Sequence, residues 1–273
     1  MENHPSIRSL VLAAGKGSRM KGYDGNKTLL PLVPHGDPFH GTRPILSNIL
    51  KELPPGPKGL VVHHRKEDVI EATRERAIAY FVQPDLNGTG GALLAARDFI
   101  LNAVEDGIII TMGDVPFVRR TTYLRLAQGL QRNHLVILGF IPEERKQYGV
   151  LEMESEQVRK ITEWKYWRNY PEERKIGLRT CNSGIYAFRT GRLKEYLDIL
   201  SGRPHKVMKE RDGAMAEIQE FFITDLAEWM DRDGLRVGCI LAEDETEVMG
   251  IDDLDALKRA QHRFALHKPP DIR

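Results

Sequence analysis

The chain has 273 residues, of which 41% are hydrophobic, and its 40 Lys and Arg against 39 Asp and Glu leave a formal net charge of +1. An apolar share of this size is enough for a sizeable core, whereas a charge this close to zero excludes the global field that attracts nucleic acid or an anionic membrane. Two isolated cysteines, an amino terminus without an apolar signal segment and the lack of a bilayer-length apolar stretch indicate a cytoplasmic protein without a zinc site, a disulfide framework or a membrane partner.

Short apolar runs and amphipathic stretches alternate along the first half of the chain. Strands are predicted over residues 9–14, 58–64, 77–82, 107–112 and 135–140, and helices over 43–53, 66–77, 89–103 and 120–133. Strands that alternate with helices in this way are typical of a parallel sheet with helices on both faces. We therefore predict an open α/β sheet.

The pattern changes after residue 140. Residues 148–164 alternate apolar and polar positions around a polar turn, which predicts a half-exposed antiparallel hairpin. The later predicted elements are a return strand over 182–188, helices over 190–201 and 214–232, a strand over 235–241 and a last helix from residue 252. We interpret this half as a second lobe laid on the first sheet.

The stretch LAAGKGSRM, residues 12–20, directly follows the first predicted strand. Gly15 and Gly17 leave room for backbone N–H groups to approach an anion, and the guanidinium of Arg19 offers a fork of donors to phosphate oxygens. Met20 stands where the dinucleotide fingerprint needs its third glycine, and the Walker pattern is absent as well. A nucleotide triphosphate is the ligand that this loop indicates, with a glycine-rich surface turn as the alternative.

Three further positions fit a nucleotide. Lys27 follows the loop closely enough to reach the α-phosphate during transfer, although a solvated surface lysine is the alternative. Asp114 lies just past an apolar run, at the strand end where open α/β sheets bind ligands, and could hold Mg²⁺ or merely cap a turn. Gln83 opens the stretch QPDLNGTGGA, where its amide could read a base edge as donor and acceptor.

Taken in order, LAAGKGSRM, QPDLNGTGGA, MGDVP, YGV, ITEWK, NSGIYAF, ITDL and EVMGID resemble the motifs of the sugar-1-phosphate nucleotidyltransferases. The nearest resemblance is to the N-acetylglucosamine-1-phosphate uridyltransferase domain. It implies a doubly wound, Rossmann-like mixed sheet, the nucleotide-diphospho-sugar transferase fold, with a sugar-binding β-rich lobe. It also implies one domain, 1–273, in which about 7–140 bind the NTP, about 141–252 bind the sugar phosphate, and 253–273 form a C-terminal helix and tail.

The resemblance assigns roles to individual residues. Arg19 and Lys27 would be the catalytic cations that stabilise the α-phosphate during transfer. The nucleotide would contact Leu12, Ala13, Ala14, Gly15, Gly17, Gln83, Gly88, Thr89 and Gly113. The sugar phosphate would contact Gly149, Glu163, Lys165 and Asn182. Asp114 and Asp252 would hold Mg²⁺, the expected cofactor.

Three departures from the family pattern bear on the acceptor and the lysine. Asn26 precedes Lys27 where the family usually has proline, and Met112 stands where the uridyltransferases often have an aromatic or polar residue. Residues 163–170, EWKYWRNY, are rich in aromatic rings, so an acceptor other than N-acetylglucosamine 1-phosphate stays open. The chain carries no hexapeptide repeats, and we therefore expect no attached acetyltransferase.

The sequence thus predicts a nucleotidyltransferase enzyme of the NDP-sugar pyrophosphorylase type. It would transfer a nucleotidyl group from an NTP, UTP first and dTTP second, to a sugar 1-phosphate. Its partners would be these small molecules, and nothing indicates a homo-oligomer. The alternatives are a cytidylyl- or guanylyltransferase acting on a non-sugar phosphate and a non-catalytic regulatory protein that binds a nucleotide sugar.

Overall fold

Strands and short helices alternate through the computed structural model, which describes residues 5–211 and 214–266. The strands are β1 Ile7–Leu12, β2 Pro31–His35, β3 Asp37–Pro44, β4 Lys58–Val62, β5 Ile78–Val82, β6 Gly107–Met112, β7 Leu135–Phe140, β8 Val150–Glu154, β9 Gln157–Thr162, β10 Cys181–Arg189, β11 His205–Arg211, β12 Ala214–Glu220 and β13 Val237–Leu241. The α-helices are α1 Ile45–Glu52, α2 Lys66–Thr73, α3 Gly88–Ala95, α4 Arg97–Leu101, α5 Arg120–Gly129, α6 Trp164–Trp167, α7 Glu172–Gly177, α8 Thr190–Ser201, α9 Asp225–Arg232 and α10 Leu254–Leu266. Two 3-10 helices cover Lys27–Leu29 and Glu245–Val248.

The central sheet has nine strands in the order β5-β4-β1-β6-β10-β7-β13-β9-β8. Strands β5, β4, β1 and β6 are parallel neighbours, and β13 is parallel to β7. The return strand β10 runs antiparallel between β6 and β7, which are therefore not neighbours. The predicted α/β class and doubly wound mixed sheet are confirmed.

Hydrophobic cores lie on both faces of this sheet. Along β6, Ile109 packs into one core while Ile108 and Ile110 pack into the other, because successive side chains of a strand point to opposite faces. Ile49 of α1 joins the first core and Leu93 of α3 joins the second. A strand that is buried on both faces needs a continuous apolar run, which explains why GIIITM shows no polar alternation.

The antiparallel hairpin predicted over 148–164 is present as β8 and β9. It does not form a separate sheet, because β9 pairs with β13 and β8 also pairs with β10. The part that we interpreted as a second lobe is therefore continuous with the central sheet.

The helix predicted over 214–232 is wrong in its first half. Residues 214–220 form β12, which pairs antiparallel with the unpredicted strand β11 in a separate two-stranded sheet. Exposed Met215, Glu217 and Gln219 alternate with the more covered Ala216, Ile218 and Glu220, which is the period of a strand. The helical pattern begins only at α9.

Other differences are smaller. The helix predicted over 89–103 is divided into α3 and α4 at Ala96, whose ψ of 21° departs from helical geometry. The hairpin of β2 and β3 was not predicted. The last helix is present as α10, and the predicted tail, 267–273, lies outside the described residues. In the described part of the chain, no helix has the length and apolarity needed to cross a membrane.

Candidate functional site

Adjoining cavities open where β1 and β6 end. The smaller encloses about 290 Å³ and the larger about 1190 Å³, and both are lined by Thr89, Met112 and Asp114. The smaller cavity also brings together Leu12, Ala13, Ala14, Gly15, Lys27, Gln83, Gly88 and Gly113. The larger cavity brings together Arg19, Gly149, Glu163, Lys165, Asn182 and Asp252. The predicted nucleotide and sugar residues thus separate into two neighbouring spaces.

The glycine loop after β1 packs against Lys27. Ala13 N–H donates to Val61 C=O at 2.8 Å, so the chain leaves the sheet only after this residue. Gly17 has a φ of 64°, in the left-handed region that favours glycine. A Cβ on Gly17 would lie 3.3 Å from Cβ of Lys27, and a Cβ on Gly15 would lie 3.8 Å from its Cε. Gly17 lines neither cavity, and the three atoms nearest to a Cβ built on it all belong to Lys27.

Four charged side chains meet where the cavities join. Lys27 Nζ pairs with Asp114 and lies 3.1 Å from Asp252 Oδ1, and Arg19 lies 3.1 Å from the same oxygen. The side chain of Lys27 is only 12% exposed, whereas that of Arg19 is 72% exposed. Burial lowers the pKa of Lys27, but the carboxylates of Asp114 and Asp252 outweigh burial and raise this pKa above its usual value. The junction therefore holds one buried cation and one exposed cation.

Asn26 fixes the backbone that carries Lys27. Its Oδ1 accepts hydrogen bonds from Thr28 N at 3.0 Å and Thr28 Oγ1 at 2.8 Å, which starts the 3-10 helix. Its Nδ2 donates to His64 C=O at 2.8 Å, and the residue is buried. Asn26, which stands where the family usually has proline, therefore links the backbone before Lys27 to the chain that follows β4.

The turn after β5 forms one wall of the smaller cavity. Buried Gln83 donates from Nε2 to Asn87 Oδ1 at 3.0 Å and to Gly88 C=O at 3.2 Å. Because a carbonyl can only accept, the atom that faces Gly88 is the amide nitrogen. Among the described residues, Gln83 Oε1 has no hydrogen-bond partner. We predicted that this amide offers a base both a donor and an acceptor, and only the acceptor is available.

The same cavity is shaped by close contacts between backbone segments. At these contacts only glycine fits without strain. Gly88 has a φ of 92°, and a Cβ there would lie 2.4 Å from Phe221 O. Gly90 N–H donates to that oxygen at 2.7 Å. Gly113 N–H donates to Leu12 C=O at 2.9 Å, and a Cβ on Gly113 would lie 3.0 Å from this oxygen. Larger residues would push these walls apart.

The larger cavity borders an irregular part of β10. Asn182 N–H donates to Gly149 C=O at 2.8 Å, and Asn182 Oδ1 accepts from Gly184 N–H at 3.1 Å. The pairing of β10 with β7 shifts between Asn182 and Tyr186, and Gly184 adopts a φ of 80° within this bulge. Bulges re-aim side chains next to binding sites, which fits the predicted role of Asn182.

Glu163 and Lys165 also line the larger cavity, and a Cβ built on Gly149 would lie 3.4 Å from Glu163 Oε2. Burial raises the pKa of half-buried Glu163, and the nearby Lys165 partly opposes this effect. Within residues 5–211 and 214–266, the Glu163 carboxylate has no hydrogen-bond partner, so it is available to a ligand donor. Lys165 is exposed at the rim, where its Nζ lies 4.8 Å from the centre of the Tyr166 ring.

The sequence did not predict several of the residues that line the two cavities. Lys209 and Glu220 line the smaller cavity, and His205, Phe222, Thr224 and Asp225 line the larger one. His205 Nε2 lies 2.8 Å from Asp225 Oδ2, and its ring packs edge-on against Phe222 at 5.1 Å. The period-two alternation over residues 215–220 is the signal that could have identified the strand that carries Glu220.

The carboxylates at the junction suit one particular class of metal. Asp114 and Asp252 both contact the single Nζ of Lys27, so they lie close enough together to share one cation. In the part of the chain that the structure describes, no group of three or more His, Cys, Asp or Glu residues could hold a metal. A pair of carboxylates fits Mg²⁺, which takes one or two carboxylates together with phosphate oxygens, and does not fit a zinc site.

Comparison with known proteins finds one matching family model and several relatives with similar sequences. The family model described as "MobA-like NTP transferase domain" matches residues 9–174. Bifunctional protein GlmU of Ruegeria sp. is 32% identical over 272 residues, which cover 98% of this chain and 55% of that protein. Bifunctional protein GlmU of Cereibacter sphaeroides is 30% identical over 267 residues, which cover 96% of this chain and 53% of that protein. The chain spans about half the length of the curated relatives it matches.

A solved structure has the same fold. It comes from a Bacillus anthracis protein provisionally assigned as a glucose-1-phosphate thymidylyltransferase, in complex with a sucrose. It is 20% identical, with a TM-score of 0.67, and the match covers 94% of this chain and 95% of that one. The family resemblance drawn from the motifs is confirmed by the family model. The chain belongs to the family of MobA-like NTP transferase domains.

Proposed function

We propose that this protein transfers a nucleotidyl group from an NTP, UTP in the first place and dTTP in the second, to a sugar 1-phosphate. The observation that carries the proposal is the pair of adjoining cavities with Lys27 at their junction. A transferase needs its donor and acceptor side by side with a cation between them. The retention of Arg19, Lys27, Asp114 and Asp252 at this junction argues against a regulatory protein that only binds the product.

The chemistry requires no protein nucleophile. A phosphate oxygen of the sugar 1-phosphate attacks the α-phosphorus of the NTP, a new P–O bond forms, and the bond to the departing pyrophosphate breaks. Negative charge builds on the α-phosphate and on the leaving group. Lys27 remains protonated at neutral pH because its pKa is raised, and exposed Arg19 lies beside it. These two cations would neutralise the charge as it develops.

Mg²⁺ is the cofactor that we propose for this site. Asp114 and Asp252 would hold it, since both carboxylates already contact one cation. When bound, Mg²⁺ supplies positive charge that offsets the charge of the phosphate oxygens.

Gln83 supports a base that carries a ring N–H. Its amide nitrogen is used within the protein, so its free Oε1 can only accept a hydrogen bond. Uracil and thymine present N3–H as a donor, whereas N3 of cytosine is an acceptor. An acceptor that faces ring N3 therefore favours UTP and dTTP over CTP, whose only base donor is the exocyclic N4 amino group.

The lining of the larger cavity favours a second candidate. Trp164, Tyr166 and Tyr170 contribute rings to it, beside the carboxylate of Glu163. Aromatic surfaces bind apolar or cationic groups as well as sugar faces. The alternative, a cytidylyl- or guanylyltransferase that acts on a non-sugar organic phosphate, is therefore supported by the acceptor cavity and not by Gln83.

The test is pyrophosphate release by the purified chain with Mg²⁺. UTP, dTTP, CTP, GTP and ATP are crossed with a panel of sugar 1-phosphates and with phosphocholine as a non-sugar acceptor. We expect release with UTP and one sugar 1-phosphate. Pyrophosphate release only with phosphocholine would favour the second candidate function over transfer to a sugar 1-phosphate. No release with any pair, despite tight binding of UTP, would overturn the transferase proposal.

A further inference from the structure

The hairpin of β11 and β12 contributes a charged pair to the smaller cavity. Lys209 and Glu220 line it, and Lys209 Nζ pairs with Glu220 Oε1. In the register of the hairpin, His205 lies opposite Glu220 and Lys209 lies opposite Ala216, so both charged residues lie on the same face. The residue that follows the hairpin is hydrogen-bonded to the turn after β5: Phe221 N–H donates to Asn87 C=O at 2.9 Å.

Glu220 is only partly satisfied within the protein. Its side chain is 8% exposed, and among the described residues Lys209 is its hydrogen-bond partner. Its second oxygen, Oε2, has no hydrogen-bond partner in that part of the chain. Because Glu220 lines the smaller cavity, this oxygen is the acceptor that it can offer to a ligand.

A carboxylate in a nucleotide cavity needs a donor from the ligand, because it would repel a phosphate. The nucleoside of UTP offers N3–H of the base and the two hydroxyls of the ribose. If N3–H donates to Gln83, the ribose hydroxyls are the donors that remain. A cavity of about 290 Å³ has room for a nucleoside rather than for a whole nucleotide sugar.

We propose that Glu220, whose charge is offset by Lys209, accepts a hydrogen bond from a ribose hydroxyl. This contact makes the site prefer a nucleotide with an intact ribose over its deoxy analogue. The inference rests on the proposed function and deepens it by naming the side chain that holds the ribose of the donor. Lys209 acts as a positioning residue, since it holds the carboxylate and offsets a charge that would otherwise repel the triphosphate.

The same hairpin offers a matched control. Lys206 Nζ lies 3.2 Å from Glu217 Oε1, and this second Lys–Glu pair is exposed and lines neither cavity. Glu217 lies opposite Met208, on the other face of the hairpin. Glu217→Ala therefore removes a carboxylate from the hairpin without removing one from the cavity.

The experiment is calorimetric titration of the full chain with UTP, 2′-deoxy-UTP and 3′-deoxy-UTP. In the wild-type chain, we expect one deoxy analogue to bind about 10- to 100-fold more weakly than UTP, the range of a hydrogen bond to a charged group. Glu220→Ala should lose most of this preference, and Glu217→Ala should keep it. Lys209→Met should weaken all three nucleotides together, because the unpaired carboxylate repels their phosphates.

The outcomes separate the inference from the proposed function. Wild-type chain that binds UTP and both analogues equally, or Glu220→Ala that keeps the wild-type preference, would overturn the inference alone. Wild-type chain that binds none of the three would overturn the proposed function and the inference with it. If Glu220→Ala melts below the assay temperature, Glu220→Gln replaces it, and its neutral oxygen should reduce the preference without changing the volume of the side chain.

Discussion

Lys27 is the residue on which the site depends most directly. It is nearly buried, it contacts Asp114 and Asp252, and its stem packs on Gly17. The two carboxylates raise its pKa above the usual value despite burial, so the side chain carries a positive charge in this structure at neutral pH. A charge that is already in place needs no reorganisation when the α-phosphate becomes more negative.

Lys27→Met removes this charge and keeps most of the side-chain length. We expect kcat for pyrophosphate release to fall by about 10²-fold or more, the effect of deleting one preorganised charge from such a site. Lys21→Met is the control, because Lys21 is exposed on the same loop, and its kcat should stay within about twofold of wild type. A folded Lys27→Met variant with wild-type turnover would show that another group neutralises the α-phosphate.

Among the elements, the turn from β5 to α3 and the segment after β12 form one wall. Phe221 C=O accepts from Gly90 N–H, Phe221 N–H donates to Asn87 C=O, and Ile223 N–H donates to Thr89 Oγ1 at 3.2 Å. Neither segment could satisfy these backbone groups alone. The nucleotide cavity therefore depends on the docking of two elements that are far apart in the sequence.

Gly88→Ala tests this docking. The left-handed φ and a Cβ only 2.4 Å from Phe221 O should lower the free energy of unfolding by about 1–3 kcal/mol and weaken UTP binding. Thermal melting and UTP titration measure both effects. Gly191→Ala adds a methyl group to α8 in open space, and it should change stability by less than about 1 kcal/mol, in the stabilising direction. If Gly88→Ala and wild type have the same free energy of unfolding, the contact between the turn after β5 and the segment after β12 does not stabilise the fold.

Across the whole molecule, the site is completed by a segment more than two hundred residues from its first loop. Ile251 N–H donates to Asp114 C=O at 2.9 Å, which brings Asp252 to Lys27 across a separation of 225 residues. The 3-10 helix before it is held by buried Glu247. The position of one candidate metal ligand thus depends on contacts well outside the cavities.

Glu247→Gln tests this long-range support. The Glu247 carboxylate accepts from the backbone N–H groups of Arg119 and Glu243, both at 3.1 Å, and from the Thr122 hydroxyl. A glutamine turns one acceptor into a donor, and we expect a loss of about 1.5–3 kcal/mol in the free energy of unfolding by urea. Activity should then require more Mg²⁺. Glu243→Gln only breaks an exposed pair with Arg119 and should cost about 0–1 kcal/mol, so equal losses in both variants would argue against the special role of Glu247.

The sequence by itself determined the α/β class, the positions along the chain of five central strands and the loop that carries Gly15, because apolar periodicity and glycine spacing are local properties. Lys27 and Asp114 were identified from their positions after the glycine loop and at a strand end, whereas Asp252 came only from the resemblance. The three side chains meet in the structure. Their roles in catalysis and metal binding stay predictions.

Only the tertiary structure decided the rest. It placed β10 between β6 and β7, turned residues 214–220 into a strand and brought Glu220 to the nucleotide cavity. It also decided that Gln83 donates within the protein and has only an acceptor left. The physical reason is the same in each case. Strand neighbours and hydrogen-bond partners depend on the relative free energies of contacts between segments distant in the chain, and a local stretch of sequence does not contain this information.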